Sequence, residues 1–102
     1  MNLQIEPLQN SNIIRLTGDL DIYAVEEARE GLLDHLVQRA SLELDLGGIE
    51  TCDATGLQLL LSARRSATAS GKSFLILNRT SAIEQCGELL GVDPDNLFPP
   101  AA

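Results

Sequence analysis

The stretch Ser41–Leu46 alternates without a break. Leu42, Leu44 and Leu46 point one way, and Glu43 and Asp45 point the other. A period of two specifies a strand with one buried face and one wet face. Helical patterns flank it on both sides. Upstream, from Ala24 to about Arg39, the residues Val25, Ala28, Leu32, Leu33, Leu36 and Val37 recur at the spacing of one helix face. Glu26 and Glu27 suit the positive end of that helix's dipole. Gly31 costs roughly 1 kcal/mol of propensity relative to Ala, which packing must offset. Downstream, Leu57 to about Ser70 predicts a second helix, with Gly71 as the residue that closes it. Ser73–Leu77 follows as an apolar strand of the buried kind. Two strands joined through a helix run parallel, with a right-handed crossover.

The remaining elements attach to this unit. Leu3–Glu6 is a weak strand that ends at Pro7, and Ile13–Thr17 is a better one closed by Gly18. The polar run Gln9–Asn12 between them is turn chemistry and implies a hairpin. Gly47-Gly48 is expected to end the Ser41–Leu46 strand. A third helix spans Thr80 to Leu90, with Ile83, Cys86 and Leu90 on one face and Gly91 after it. The predicted fold is α/β: a four-stranded mixed β-sheet with three or more helices packed mainly on one face. The 102 residues make one domain, read as residues 1–98, followed by a frayed tail at 99–102. Tyr23, Phe74 and Phe98 are the only aromatic residues, so the core must be aliphatic.

Composition excludes several functions. Seven Lys/Arg against fifteen Asp/Glu give a formal net charge of −8, which disfavours nucleic-acid backbones and anionic membranes as partners. Aromatic stacking platforms lack the rings they need. Apolar runs reach only four residues, as at Phe74–Leu77, whereas a membrane span needs about 20. The first ten residues carry no Lys, no Arg and no apolar core, so no secretory signal is expected. The chain is accordingly expected in the cytoplasm. Cys52 and Cys86 have no metal-ligand spacing and read as buried thiols. Asn78-Arg79-Thr80 matches a glycosylation sequon only by coincidence if the chain is cytoplasmic.

Catalytic motifs also fail. Gly71-Lys72-Ser73 looks like the end of a phosphate-binding loop, but Ser66 stands where that motif needs its first glycine, and here a helix precedes a strand. It is read as a helix-to-strand turn. His35, the only histidine, lies at the edge of an apolar helix face and reads as partly solvated. Nothing places it beside Cys52 as a base for a nucleophile. Asp19, Asp21, Asp45 and Asp53 could at most form an unspecific all-carboxylate site for a hard cation. No enzyme, metal or cofactor is expected.

The segment Gly47 to Leu61, GGIETCDATGLQLLL, is different. It joins a buried strand to a leucine-rich helix, and Asp53 and Thr55 fall where the first backbone N–H groups of a helix lack partners. Either residue can cap the helix, which is worth about 1 kcal/mol. A hydroxyl there is also well placed to carry a phosphate, because the helix terminus favours an anion.

Asp53-Ala54-Thr55-Gly56-Leu57 resembles the strand-to-helix turn of the STAS domains of bacterial anti-sigma factor antagonists. Leu16-Thr17-Gly18-Asp19-Leu20-Asp21 is similar to that family's L-x-G-E/D-L-D stretch. Gly71–Leu77 is similar to its G-x-x-L-x-L strand. The resemblance covers about Ile13 to Leu90 and implies the STAS fold. In that family a Ser or Thr of the D-S-S/T-G turn is phosphorylated by a partner that is both Ser/Thr kinase and anti-sigma factor. By position the acceptor is Thr55, and Ala54 departs from the usual preceding Ser. The resemblance implies a partner surface around Asp19, Asp21, Tyr23, Asp53, Ala54, Gly56 and Gln58. The expectation is a non-enzymatic regulator whose protein binding is switched by phosphorylation of Thr55.

Two other branches of the family also resemble the chain. One is the STAS subunit that sits on the ATPase of a lipid-asymmetry ABC transporter, whose C-terminus is loosely similar to Leu90–Phe98. The other is a chemotaxis-type signalling group with D-A-A-G-L-Q-L-L in the turn, from which Asp53–Leu60 differs only at Thr55. In both, Thr55 would be a helix cap only. Glu84, Glu88, Asp93 and Asp95 form an acidic C-terminal run read as solvated, and Arg64 and Arg65 lie on the second helix, where they could border an interface.

Overall fold

The computed structural model of the chain describes residues 3–91. Four strands and three helices follow one another as β1 (Leu3–Pro7), β2 (Ile13–Leu20), α1 (Val25–Gln38), β3 (Ser41–Cys52), α2 (Ala54–Ala69), β4 (Ser73–Leu77) and α3 (Ser81–Leu89). The strands form one mixed sheet in the order β1-β2-β3-β4. β1 and β2 are the antiparallel hairpin, turned through Asn10 at a φ of 59°. β2–β3 and β3–β4 are the parallel pairs.

One aliphatic core explains the layering. Leu3, Ile14, Leu16, Leu42, Leu44 and Leu46 are fully buried on one face of the sheet, together with side chains of all three helices, among them Ala28, Leu32, Leu36, Leu57, Leu60 and Ile83. Each such side chain contributes roughly 1.5–3 kcal/mol relative to exposure. The other face carries Arg15, Glu43 and Asp45, with Arg15 Nε 3.5 Å from Asp45 Oδ2.

Several sequence expectations need correction. β3 does not stop at Gly47-Gly48 but continues to Cys52. Its pairing with β2 slips twice, between Arg15 and Thr17 and again between Gly18 and Asp19. Each slip places an extra residue in β3, so the buried face passes from Leu46 to Ile49 and the period of two breaks. The glycine at 48 permits this: a Cβ there would come within 2.9 Å of Thr17 Oγ1. β2 likewise extends three residues past Thr17, to Leu20. The Leu33 and Val37 side chains lie outside the core face of α1, and Val37 is 79% exposed. The buried stripe is the narrower Ala28-Leu32-Leu36 row.

β4 is half-buried rather than buried, because it is an edge strand of a sheet covered on one face. Leu90 ends α3 at its C-terminal cap, 46% exposed, and Gly87 takes the buried place beside Ile83 and Cys86. Cys52, expected buried, is half-buried, whereas Cys86 is buried. The segments 92–98 and 99–102, with Asp93 and Asp95, lie outside the described residues.

The Gly71-Lys72-Ser73 stretch is the turn that the element order implies. Gly71 adopts a φ of +72° after α2. The Lys72 ammonium donates to the backbone oxygen of Leu36 and, at 3.4 Å, to that of Val37, closing the C-terminus of α1. Leu44→Ala, at the centre of the sheet, is expected to cost about 2–5 kcal/mol in urea unfolding. Val37→Ala should change stability by less than about 0.5 kcal/mol. Equal losses for the two would contradict the assigned core face of α1.

Candidate functional site

β2 and β3 run parallel, so their C-terminal ends meet at one edge, where Leu20 pairs with Cys52. The next residue, Asp53, has extended backbone and caps α2. One of its carboxylate oxygens accepts the Gly56 N–H at 2.9 Å and the Thr55 hydroxyl at 2.6 Å. The other accepts the Ile22 N–H at 3.1 Å, from the turn between β2 and α1. The Asp53 N–H itself donates to the Leu20 carbonyl at 3.2 Å. One residue therefore pins the start of α2 to the end of β2 and to the turn that follows it.

Gly56 completes the junction. A Cβ on it would lie 2.1 Å from the Leu20 carbonyl oxygen and 2.8 Å from the Leu20 carbonyl carbon. Only glycine lets α2 start this close to β2.

The neighbouring acids are ordered as well. The Asp21 carboxylate accepts the Tyr23 N–H at 3.0 Å, and the Asp21 carbonyl accepts the Ala24 N–H. The Asp19 carboxylate accepts the Thr51 hydroxyl at 2.8 Å across the β2–β3 pair. Burial alone would raise the Asp53 carboxyl. The hydrogen bonds from Thr55, Gly56 and Ile22 outweigh it and hold the group below the ordinary carboxylate value. Seven residues back along β3 from Cys52, Asp45 is also held below that value. Burial opposes this, but bonds from Gly47 and Asn78 and the Arg15 charge prevail.

The structure thus brings Asp19, Asp21, Tyr23, Asp53, Ala54, Thr55, Gly56 and Gln58 to one edge of the sheet. Tyr23 is 92% exposed, Ala54 and Gln58 are exposed, Thr55 is half-buried and Gly56 is buried. Asp53, not Thr55, is the helix cap: α2 starts at Ala54, so Thr55 is its second residue and its hydroxyl donates to the cap. Asp45 does not join this edge, because it is tied to Arg15, Gly47 and Asn78. Cys52 and His35 form no pair: Cys52 lies against Asp53 and Cys86, and His35 is in the last turn of α1. Burial, then the Arg39 charge, lower the His35 imidazole against the opposing pull of Asp34.

Sequence reasoning missed Ile22, 59% exposed with its N–H on Asp53, and a groove whose lining includes Glu50, Asp53, Ala54, Gln85, Leu89 and Leu90. Ile22 sat inside an acidic stretch with no periodicity to mark it. Leu89 falls off the helix face that Ile83 and Cys86 define. Among the described residues, no helix is long and apolar enough to cross a membrane.

Comparison with known proteins agrees with this geometry. The chain belongs to the STAS family: residues 4–99 match the family model described as Mlab, STAS domain. An anti-sigma-B factor antagonist of Bacillus subtilis is 26% identical over 94 residues, covering 90% of this chain and 86% of the relative. Its counterpart in Staphylococcus epidermidis is 25% identical, covering 90% and 88%. Among solved structures, the unphosphorylated anti-sigma factor antagonist SpoIIAA superposes with a TM-score of 0.70 at 23% identity, covering 98% of this chain and 88% of that one. An anti-sigma factor antagonist from Mycobacterium paratuberculosis reaches 0.75 at 18% identity, covering 96% and 82%. These likenesses show the STAS fold.

Two outcomes test the junction. On helix propensity alone, Gly56→Ala would stabilise the protein by about 1 kcal/mol. The clash with Leu20 reverses the sign, and a net loss of about 1–3 kcal/mol is expected in chemical unfolding. A stabilised variant would mean that α2 does not start against β2. Asp53 is depressed in the folded state, so its stabilisation is complete above the unfolded value near 3.8 and is lost as pH falls through the folded value. Asp53→Asn should therefore flatten the acid side of the stability–pH profile, leaving the slope contributed by Asp45.

Proposed function

We propose that this chain is an anti-sigma factor antagonist-like regulator that acts in the cytoplasm and has no catalysis of its own. A partner Ser/Thr kinase that is also an anti-sigma factor phosphorylates Thr55, and the phosphate disfavours the complex between them. One observation carries the proposal. The Thr55 hydroxyl lies at the N-terminus of α2, bonded to Asp53, on an edge that also presents Asp19, Asp21, Ile22 and Tyr23. The curated relatives, named anti-sigma-B factor antagonists, support the same direction.

The electrostatics give the switch its sign. The Asp53 carboxylate already accepts the Gly56 N–H, one of the first amides of α2 that would otherwise take an anion. Phosphorylation consumes the hydroxyl proton that now bonds Asp53 and adds about −1.5 to −2 charges beside that carboxylate. The phosphate must therefore turn outward, onto the face presented to the partner. A pocket shaped for a neutral hydroxyl, meeting this acidic edge, loses complementarity. The fold itself rests on buried aliphatic packing and is not asked to change. Consistent with that, SpoIIAA, whose phosphorylated form has also been solved, matches this chain in that form with a TM-score of 0.67 at 19% identity.

A second reading rests on a different weight given to the same bond. The Thr55 hydroxyl already has a structural task in tying α2 to its cap. A constitutive STAS subunit on the ATPase of an ABC transporter, or a chemotaxis-type adaptor, would need Thr55 for nothing more. Binding separates the two readings. Thr55→Glu, assayed by affinity capture from the native cell extract, should lose the partner held by the wild type at least tenfold, about 1.4 kcal/mol. Thr55→Ser should retain it. A Thr55→Glu variant that keeps an ABC-type ATPase at wild-type level would establish the transporter reading instead.

A further inference from the structure

Cys52 ends β3 and Cys86 lies on the buried face of α3, yet the two thiols meet. The Cys86 side chain is within hydrogen-bonding reach of the Cys52 thiol, which also donates to the Asp53 carbonyl at 3.5 Å. Both line the groove that runs from Ala54 to Leu89. Their exposure differs: Cys86 is 7% exposed and Cys52 half-buried, so a reagent in the groove meets Cys52 first. Neither the core nor the phosphorylation site needs a sulfur at both positions, since each packs as a small apolar group.

We propose that Cys52 and Cys86 form a reversible intramolecular disulfide that fastens α3 to the end of β3, with a small-molecule disulfide such as oxidised glutathione as the oxidant. The Cys52 thiolate attacks one sulfur of glutathione disulfide and expels one glutathione thiolate. The Cys86 thiolate then attacks the Cys52 sulfur of the mixed disulfide and expels the second. The two cysteines give up two protons and two electrons, and the glutathione disulfide takes them up as two thiols. The proposal does not depend on phosphorylation of Thr55.

Burial and the adjoining Cys86 and Asp53 push the Cys52 thiol up to about 12 from 9.0. The pair is therefore slow to react. The reactive thiolate is scarce, and the higher nucleophilicity of a more basic thiolate recovers only part of this, so the first step is slower than for an ordinary thiol. The second step is fast, because Cys86 is already in contact. The mixed disulfide should not accumulate.

The test uses the wild-type protein, reduced, freed of reductant and incubated with excess oxidised glutathione, then read by intact mass and non-reducing peptide mapping. A parallel sample unfolded in urea gives the rate of the unhindered thiols. The expected product has lost two hydrogen atoms, joins the Cys52 and Cys86 peptides and reverts with dithiothreitol. It forms more slowly than glutathione reacts with the urea sample. Cys86→Ser should stop at a single glutathione adduct on Cys52. Hydrogen exchange of the α3 amides should slow in the oxidised form. A folded wild type that accumulates stable glutathione adducts, or links into dimers, would overturn the proposal. So would one that stays reduced over hundreds of half-times of the urea reaction.

Discussion

The Asp53 carboxylate is the constraint on which the site depends. It receives donors from three places that are remote in sequence or direction: the turn after β2, the first turn of α2 and the Thr55 side chain. A carboxylate that accepts several hydrogen bonds prefers its charged form, so the interaction fixes geometry and charge together. Without it, the start of α2 would be joined to β2 mainly by the close approach of Gly56 to Leu20 and the single Asp53 N–H bond. The acidic edge follows from the same junction. Two parallel strands end side by side, and the chain leaves them through Asp21 and Asp53.

The sheet and the site divide the work. The core is mainly leucine, isoleucine and alanine packed against one face of the sheet. The edge above it is polar, ordered by side-chain bonds and largely exposed. Under the proposed switch, that separation would let a charge change at Thr55 alter recognition without repacking the core. Regulation by surface chemistry needs a frame that does not yield.

Much of this was legible in the sequence. Apolar patterning together with turn and capping residues located the seven elements, and the Leu42-Leu44-Leu46 and Ala28-Leu32-Leu36 rows are tertiary packing written as spacing. The capping chemistry of Asp53–Gly56 was legible, but the helix starts at Ala54, three residues before the expected Leu57. What failed has specific causes. Gly47-Gly48 signals a break in any local reading. Here the two glycines let β3 bulge past Thr17 and continue, a fact about a neighbouring strand rather than about the segment. Val37 and Leu90 are apolar at helical spacing but fall beyond the neighbours that would bury them. The exposed Ile22 and the meeting of Cys52 with Cys86 depend on which element ends against which, and no local pattern encodes that.

Phosphosite mapping of the protein isolated from its own cells tests the proposed Thr55 switch most directly. Intact mass and peptide sequencing across growth and stress conditions should find a fraction carrying a single phosphate, placed on Thr55, that rises and falls with condition. A protein unmodified at Thr55 in every condition, recovered on an ABC-type ATPase, would contradict the switch and leave the hydroxyl with its structural bond to Asp53 alone.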